Sequence, residues 1–342
     1  MTARWWHREG AAVVCDLCPH RCRLEAGETG TCGVRKHLAG ELVSLAYGLV
    51  AAAHAAPIER KFLYHFLPGA SSYSFGAPGC NLRCRFCQNW LVSQAPKGGP
   101  GVALHELSPA DLVRQAVSTG CELIAATYTE PTIFFEMALA AAREARAAGL
   151  GVVWKSNGYL EPGPQDEIIP LLDAVNVDLK SFRDETCRSL TGARLQPVLD
   201  ALRRFRQAGV WVEVTTLVIP TINDDPAELA DLAAFVREEL GPETPWHLTR
   251  FHPDYELRHL PPTPAATLHA ARERALATGL HHIYTDVEPA GRGWDTTCPG
   301  CGALLWERSQ YKLTANHCPS GSCPRCQRQV GGVFHLPARL PI

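Results

Sequence analysis

The cysteine pattern constrains this chain more than any other feature of its sequence. The 342 residues include 14 cysteines, and all but Cys121 and Cys187 fall into three clusters. The chain shows no stretch typical of a signal peptide, and no run approaches the ~18 apolar residues of a membrane span, so we expect a cytoplasmic protein. A reducing compartment disfavours disulfides, and clustered cysteines there indicate metal binding. The sequence therefore predicts a metalloprotein.

The charge balance gives no electrostatic argument for a nucleic-acid or membrane partner. The chain carries 33 Lys+Arg against 35 Asp+Glu, and its apolar fraction of 46% suits an ordinary soluble globular protein. Of the two isolated thiols, Cys121 opens an apolar run and is expected to act as a small buried hydrophobe, whereas Cys187 lies in a predicted helical stretch. Neither is expected to be a catalytic group.

The first cluster lies near the N-terminus, in CDLCPHRCRLEAGETGTCGVR. Its four thiols belong to Cys15, Cys18, Cys22 and Cys32. Four thiolates from one short segment suit tetrahedral zinc or an iron–sulfur cluster, and the spacing does not decide between these metals. Buried free thiols are the alternative without metal.

The second cluster contains three thiols, those of Cys80, Cys84 and Cys87, in FGAPGCNLRCRFCQNW. A structural zinc site would normally close with a fourth ligand, which is missing nearby. Three thiolates can instead hold three irons of a [4Fe–4S] cluster and leave the fourth iron open to a ligand. Phe86, just before the last thiol, belongs to the same signature. This loop therefore predicts an open iron–sulfur cluster.

The third cluster consists of two matching knuckles, CPGCG and CPRCQ, which carry Cys298, Cys301, Cys323 and Cys326. Paired knuckles of this kind are typical of a zinc ribbon, in which a closed tetrathiolate site holds together a segment too short for its own core. A rubredoxin-like iron site is the competing assignment. Cys318, between the knuckles, is a spare thiol or an alternative ligand.

Between the clusters, from about residue 70 to 285, short apolar runs alternate with amphipathic helical stretches. Predicted strands cover 72–76, 122–128, 151–157, 174–180, 210–220 and 245–251, and predicted helices begin at Pro109, Pro131, Leu195, Pro226 and Pro264. Alternating strands and helices imply parallel strands joined by right-handed crossovers. We therefore predict an α/β fold, a partial (β/α)6 barrel with small cysteine-rich modules at both ends.

Chemistry in such barrels gathers at the C-terminal ends of the strands. Polar groups follow each predicted strand: the Cys80 loop, Thr129-Glu130, Lys155-Ser156-Asn157, Asp178 with Lys180, Thr221 with Asn223-Asp224, and His247 with Arg250 and His252. A lone Lys or Asn in such a place is usually a solvated loop residue or a cap. The set as a whole predicts an active site.

These residues resemble the radical S-adenosylmethionine (SAM) superfamily, whose hallmark is the Cys80-x3-Cys84-x2-Cys87 loop after the first barrel strand. The segments GCNLRCRFCQN and VIPTINDD are similar to those of the branch containing pyruvate formate-lyase activating enzyme. The whole chain resembles the radical SAM member of the AmmeMemoRadiSam system, through CDLCPHRC with GTCGVR, CQNW, ATYTEPT, KSNGY, NVDLKSF, PWHLTRFHPDY and CPGCG.

The resemblance implies a [4Fe–4S] cluster on Cys80, Cys84 and Cys87, with SAM on its open iron. It places several side chains at SAM: Phe86 and Asn89 beside the adenine, Thr129 and Glu130 at the ammonium, Lys155 at the carboxylate, Ser156 and Asn157 at the ribose, and Asp178 and Lys180 near ribose or substrate. In the family a Gly-Gly pair precedes the glutamate, and Tyr128-Thr129 replaces it here. Lys180, His247 and His252 are the expected catalytic residues, and the two histidines should face the open end, where substrate is expected.

The same resemblance frames domains, partners and function. We expect an N-terminal cysteine-rich segment (1–69), a radical SAM barrel (70–290) and a C-terminal zinc-ribbon-like module (291–342). The N-terminal thiols are expected to form a metal site near the barrel mouth, either a second iron–sulfur cluster or zinc. Expected partners are a reductant such as ferredoxin or flavodoxin and, by resemblance, Memo-family and AMMECR1-family proteins. The predicted activity is hydrogen abstraction by a 5′-deoxyadenosyl radical; the alternatives are an activating enzyme for a glycyl-radical protein and a non-catalytic metal-scaffolded binding protein.

Overall fold

Short antiparallel strands build the N-terminal part of the chain in the computed structural model, which describes residues 1–287 and 293–336. The strands are β1 (Trp6–Glu9), β2 (Ala12–Cys15), β3 (Arg23–Leu24), β4 (Arg35–Leu38), β5 (Glu41–Ser44), β6 (Leu49–Val50) and β7 (Ala52–Pro57). Strands β1, β2 and β3 form one sheet, and β4 and β5 form a hairpin. A 3-10 turn, Ile58–Lys61, follows β7.

Strands and helices then alternate along the chain. The elements are β8 (Ser71–Gly76), α1 (Trp90–Ser93), β9 (His105–Glu106), α2 (Pro109–Ser118), β10 (Leu123–Ala126), α3 (Phe135–Ala147), β11 (Gly151–Ser156), α4 (Pro162–Ile168), β12 (Ala174–Asp178), α5 (Asp184–Thr191), α6 (Leu195–Gln207), β13 (Trp211–Val218), α7 (Pro226–Phe235), β14 (Trp246–Arg250), α8 (Ala265–Ala277) and β15 (Ile283–Thr285). Short 3-10 turns cover Ala95–Lys97, Pro131–Phe134 and Ile169–Leu171, and a π-helical turn covers Val236–Leu240.

One eight-stranded sheet connects these units, in the order β15-β14-β13-β12-β11-β10-β8-β7. Every neighbouring pair from β8 to β15 is parallel, and only the edge strand β7 runs antiparallel to β8. Strands buried on both faces are rich in apolar residues, which explains why the runs in the sequence were readable as strands. The structure confirms the α/β class and the partial barrel.

Two features of the barrel were absent from the prediction. Strand β15 adds one more parallel strand, pairing Trp246 with Ile283, and it has only three residues. Helix α4 was also absent from the prediction, and it is seven residues long. Elements this short carry too few residues to show a period, so the hydrophobic pattern does not reveal them.

The C-terminal module is a small antiparallel sheet of β16 (Thr296–Thr297), β17 (Leu304–Ser309) and β18 (Lys312–Asn316). It docks against the segment that follows β7. The backbone N–H of Leu67 donates to the carbonyl of Val333 at 2.7 Å, and the N–H of Val333 donates to the carbonyl of His65 at 2.8 Å. In the described ranges, 1–287 and 293–336, no helix has the length and apolar character that crossing a bilayer requires.

The predicted domain limits stay a prediction. Strand β7 lies within 1–69 and completes the barrel sheet, so the N-terminal segment is built onto the barrel. The predicted boundary between 290 and 291 lies outside the described residues, as do residues 337–342 of the C-terminal module.

Arg308 of β17 is the principal buried polar link between the module and the barrel. Its guanidinium donates to the carbonyl of Tyr64 at 2.7 Å and to the Thr296 hydroxyl at 2.8 Å. Its Nε lies 3.8 Å from a carboxylate oxygen of Glu59, and both side chains are fully buried. Burying Glu59 raises the pKa of its carboxyl, and the charge of Arg308 opposes that rise.

We predict that Arg308→Met lowers the free energy of unfolding by about 3–5 kcal/mol, because it leaves the buried Glu59 without its counter-charge. Urea denaturation monitored by circular dichroism measures the change. Arg23→Met is the matched control: Arg23 forms exposed ion pairs with Glu9 and Glu25, and screened surface pairs contribute little. Equal stability of the two variants would contradict the proposed role of Arg308.

Candidate active site

A cavity of about 530 Å³ opens at the C-terminal ends of the barrel strands. The three thiols of the second cysteine cluster line it, together with most of the strand-end residues singled out in the sequence. Those strand-end residues are Phe86, Asn89, Thr129, Lys155, Ser156, Asn157, Asp178, Lys180, Arg250 and His252. The parallel sheet thus brings together residues that are far apart in the sequence.

The thiol loop follows β8 and is held by close backbone packing. Gly79 has φ +99°, and a Cβ at this position would lie 2.7 Å from the carbonyl oxygen of Cys32, so glycine is required there. The sulfur of Cys80 accepts a hydrogen bond from the N–H of Leu82 at 3.4 Å, and the sulfur of Cys87 lies 3.3 Å from the Ser93 hydroxyl. These contacts hold the loop in the conformation in which its three thiols line the cavity.

A chain of charges lies beside the thiols. Asp178, at the end of β12, bonds the ammonium of Lys155 through one oxygen and that of Lys180 through the other, the latter at 3.1 Å. Burial by itself would raise the pKa of Asp178, but the two ammonium groups outweigh it and lower the pKa to about 2. Asp178 and the nearby thiols of Cys84 and Cys87 raise the pKa of Lys180 despite its burial. The ammonium of Lys180 is therefore a fixed positive charge facing the thiols.

The strand-end polar residues form an ordered wall. The Asn157 amide donates to Asn81 Oδ1 at 2.8 Å and approaches the sulfur of Cys80 at 3.8 Å. The Thr129 hydroxyl donates to the carbonyl of Ala77 at 2.6 Å. The Asn89 amide donates to the carbonyl of Tyr128 at 2.8 Å, and Tyr128 has a φ of +67°. Phe86 is buried beneath the ammonium of Lys180, at 5.3 Å.

Glu130 does not line the cavity, contrary to the expectation that it pairs directly with a ligand. Its carboxylate is fully buried and accepts from the Thr132 N–H at 3.0 Å, the Thr132 hydroxyl at 2.7 Å, the Ser156 hydroxyl at 2.8 Å and the Asn157 N–H at 2.7 Å. It caps the 3-10 turn Pro131–Phe134 and fixes the end of β11. Its contacts make it a positioning residue.

His247 also fails to face the open end. It lies in β14, buried, with its Nε2 2.7 Å from a carboxylate oxygen of Glu213 and its ring stacked on Tyr284 at 5.1 Å. Side chains alternate along a strand, so His247 shares the face of Thr249 but lies one layer deeper, beneath Phe62. His252 does reach the cavity, at its exposed rim.

Several cavity residues were missed because they come from outside the predicted barrel. Arg60, Lys61 and Phe62 follow β7, and Tyr311 comes from the turn between β17 and β18. Arg60 lies 5.8 Å from the Tyr311 ring, and Phe62 packs against Tyr311 at 5.6 Å. The only signal in the sequence is a pair of cations before the apolar run FLYHF, which by itself indicates no site.

Lys61 is a buried cation in this cavity. Its ammonium contacts the Tyr128 ring at 5.3 Å, and among the residues described no carboxylate forms an ion pair with it. Burial, together with the positive charges of Arg60 and Lys155, lowers the pKa of Lys61 to about 8. A group whose pKa falls on folding destabilises the folded state fully below the lower pKa.

We predict that Lys61→Met stabilises the protein at neutral pH and that the gain shrinks as pH rises from about 8 toward about 10.4, the ordinary lysine value. Between these two pH values the unfolded chain keeps the Lys61 proton and the folded chain loses it. The free energy of unfolding of the wild type therefore rises with pH, and the difference from the variant becomes smaller. Urea midpoints across this pH range measure the difference between wild type and variant. Lys312→Met, at an exposed lysine of β18, is the control, and a gap independent of pH would contradict the prediction.

The other two cysteine clusters form separate sites. At the N-terminus all four thiols line one small cavity, together with Arg35 and Thr132. At the C-terminus the sulfurs of Cys298, Cys301, Cys323 and Cys326 all lie within 4.8 Å of one another, as ligands of a single metal ion would. Cys318 is buried, donates to the carbonyl of Ser322 at 3.2 Å and is outside that group. Cys121 is buried, as predicted, and Cys187 is buried within α5, the helical stretch that was expected there.

Comparisons with known proteins agree with this arrangement. The sequence profile of the Radical SAM superfamily matches residues 75–233. An uncharacterized protein of Methanocaldococcus jannaschii is 41% identical over 299 residues, which cover 86% of this chain and 87% of that protein. Pyruvate formate-lyase 1-activating enzyme of Escherichia coli is 24% identical over 163 residues, 47% of this chain and 66% of that enzyme, slightly under two thirds of its length.

Among solved structures, the fold is similar to that of Streptococcus suis SuiB bound to precursor peptide SuiA. The TM-score is 0.50 at 13% identity, and the match covers 67% of this chain and 51% of that chain. At this identity the likeness concerns the fold alone.

Proposed function

This chain belongs to the radical SAM superfamily, and from that membership we propose that it cleaves SAM reductively at a [4Fe–4S] cluster held by Cys80, Cys84 and Cys87. When bound, the cluster and SAM supply one-electron cleavage of the sulfonium to methionine and a 5′-deoxyadenosyl radical, which takes a hydrogen atom from the substrate. The observation that carries the proposal is the convergence of these three thiols on the cavity that the strand ends enclose.

The donor set fits such a cluster. The three thiols line the cavity together with polar groups and cations. No fourth cysteine belongs to this loop. Three sulfur ligands with open space beside them suit a cluster that keeps one iron for a small molecule.

Lys180 is the residue that we propose holds the carboxylate of SAM. Its ammonium is the cation that faces Cys84 and Cys87, and Asp178 keeps it charged and in place. The ammonium of Lys155 donates to Asn176 Oδ1 at 2.6 Å and to Asp178. Lys155 therefore helps to hold the Asp178 carboxylate, which in turn holds Lys180. An ammonium next to a bound carboxylate both attracts and orients it.

Asn157, Ser156, Thr129, Phe86 and Asn89 are proposed to enclose the adenosine part of SAM. Each lines the cavity, and Asn157 touches the thiol loop through Asn81. Glu130 acts on SAM only through the residues it fixes, chiefly Ser156 and Asn157. The substrate is then expected at the end of the cavity that these residues leave free, which Arg60, Lys61, Arg250, His252 and Tyr311 line.

The finer assignment to the AmmeMemoRadiSam system is also part of this proposal. It is supported by the motifs given above, which run from the N-terminal cysteines to the C-terminal knuckles. It brings Memo-family and AMMECR1-family proteins as partners, and a ferredoxin or flavodoxin as the electron donor. Zinc is proposed for the compact C-terminal tetrathiolate site, because all four sulfurs are close enough for one ion.

A second candidate function is activation of a glycyl-radical partner protein. The similarity to pyruvate formate-lyase 1-activating enzyme favours it. In that case the hydrogen donor is a glycine of the partner and not a small molecule. Incubation of the reduced enzyme with SAM and a candidate partner distinguishes the two, because only an activating enzyme leaves a stable glycyl-radical signal in electron paramagnetic resonance.

We predict that Cys84→Ala abolishes formation of 5′-deoxyadenosine by anaerobically reconstituted, dithionite-reduced protein, because cluster assembly needs all three thiols. Chromatographic detection of 5′-deoxyadenosine measures it. Cys121→Ala is the matched control, since Cys121 is also a buried thiol but lies outside all clusters; it should retain activity. Turnover by Cys84→Ala equal to that of the control would overturn the proposed function.

We predict that Lys180→Met weakens SAM binding by about 30-fold or more, the equivalent of losing about 2 kcal/mol or more of a buried charge pair. Lys155→Met should weaken it less, because Asp178 still holds Lys180. Isothermal titration of reconstituted protein with SAM gives both dissociation constants, and iron analysis confirms that each variant keeps its cluster. A larger loss in Lys155→Met would assign the carboxylate to Lys155 instead.

A further inference from the structure

We propose that the N-terminal thiols of Cys15, Cys18, Cys22 and Cys32 bind a second [4Fe–4S] cluster, which passes single electrons to the cluster proposed at Cys80, Cys84 and Cys87. The identity of the N-terminal cluster is independent of the proposed function. The electron transfer does rest on the proposed function, because the acceptor is the SAM-cleaving cluster.

Sulfur spacing separates the two four-cysteine sites of this chain. Four thiolates around one zinc ion, at 2.3 Å from the metal, stand about 3.8 Å apart. The C-terminal site has this compactness, with sulfur pairs at 3.5 and 3.6 Å. Within residues 1–287 and 293–336 it is the only group of three or more metal-ligating atoms that all lie within 4.8 Å of one another.

The N-terminal thiols share a cavity but do not meet that criterion. In a [4Fe–4S] cluster each thiolate binds a different iron, so the four sulfurs surround a larger body and stand farther apart than around one ion. The wider set at the N-terminus therefore fits an iron–sulfur cluster, whereas the compact C-terminal set fits a single ion.

Arg35 lines this cavity and carries an unsatisfied buried donor. Arg35 is only 1% exposed, and one terminal nitrogen of its guanidinium donates a hydrogen bond to the Glu136 carboxylate at 3.0 Å. Its Nε has no hydrogen-bond partner although it is buried, and the residue lines the cavity of the four thiols. A buried N–H without a partner is costly, and a cluster sulfur would satisfy it. Hydrogen bonds to cluster sulfurs also favour the reduced form.

The N-terminal loop contacts the hallmark thiol loop directly. A Cβ at Gly79, next to Cys80, would lie 2.7 Å from the carbonyl oxygen of Cys32. His20, between Cys18 and Cys22, has its Nε2 2.7 Å from the carbonyl oxygen of Asn81. Ligand-bearing segments of the two sites are thus in van der Waals and hydrogen-bond contact, and a short separation is what electron tunnelling requires.

Lys97 lies between the same two loops. Its ammonium donates to the carbonyl of Leu82 at 2.8 Å, and its Cγ lies 3.1 Å from where a Cβ at Gly33 would be. Gly33 follows Cys32 and Leu82 follows Asn81, so the side chain spans from one loop to the other. A half-buried positive charge at this place stabilises the negative charge that either cluster gains on reduction.

Electrons would enter from the side of Cys22. The thiols of Cys15, Cys18 and Cys32 are buried, whereas Cys22 is half-buried. A one-electron protein donor of the ferredoxin or flavodoxin class loses one electron to the N-terminal cluster. That cluster is reoxidised as the second cluster takes the electron, with no bond made or broken.

The first test is metal content after anaerobic reconstitution of the full chain. Wild type should hold about eight irons, and both the Cys15→Ser/Cys18→Ser variant and the Cys80→Ala/Cys84→Ala/Cys87→Ala variant should hold about four. Zinc should stay the same in all three. The triple variant shows the N-terminal cluster alone, so its result stands whether or not the chain cleaves SAM. Circular dichroism confirms folding.

Other results overturn the assignment. Loss of zinc in Cys15→Ser/Cys18→Ser with iron unchanged would make the N-terminal site a zinc site, and no change in either metal would leave free thiols. If the double variant does not fold, spin quantitation of reduced wild type decides: two spins per chain support the second cluster, and one spin contradicts it.

The second test compares electron donors. Cys15→Ser/Cys18→Ser should form 5′-deoxyadenosine with dithionite within about twofold of wild type, since this small reductant reaches the acceptor cluster directly. With reduced flavodoxin its rate should fall at least tenfold. Equal loss with both donors indicates a structural role, and no loss with either contradicts a relay. Cys323→Ser, at the C-terminal site, is the control and should not change the ratio between donors.

Discussion

The buried carboxylate of Glu130 is the interaction on which the geometry of this site depends. A carboxylate removed from water is costly unless donors replace its hydration, and here four donors converge on it. Two of them fix the end of β11, where Asn157 then reaches Asn81 in the thiol loop. His20 meets the carbonyl of that same Asn81. One charge thus connects the barrel, the hallmark loop and the N-terminal loop.

The sequence predicted the fold and the edge of the sheet that carries the candidate site better than it predicted the depth of each side chain. Thiol spacing and the apolar runs were sufficient for the barrel and for the edge at which Asp178 and Lys180 lie. They could not tell that the Glu130 carboxylate is saturated by donors from Thr132, Ser156 and Asn157, because these partners meet only in the folded structure. Likewise His247 follows the right strand pattern, but only the register of β14 shows that it lies one layer beneath the cavity.

No local sequence pattern predicts which residues from outside the barrel line the cavity. Phe62 and Lys61 arrive through the turn after β7, and that turn is placed by contacts with segments far away in the sequence. The backbone N–H groups of Tyr64 and His65 donate to the Glu213 carboxylate on β13, at 3.0 and 2.8 Å. Such pairing spans about half the chain, so neither periodicity nor residue spacing records it.

The C-terminal module connects the cluster of four thiols to the cavity through a series of contacts. Its four thiols hold the ribbon compact, Arg308 anchors β17 against the backbone at Tyr64, and the turn after β17 carries Tyr311 to Phe62 and Arg60. Each step is a contact in the folded chain, so the four C-terminal thiols are connected through the protein to Tyr311, which lies at the end of the cavity where substrate is proposed to bind. The two four-cysteine sites therefore differ in their surroundings. The compact C-terminal thiols are connected to the cavity through Tyr311. The wider N-terminal set lies against the hallmark loop, so the cluster proposed there would transfer an electron to the neighbouring site and would contribute no side chain to the cavity.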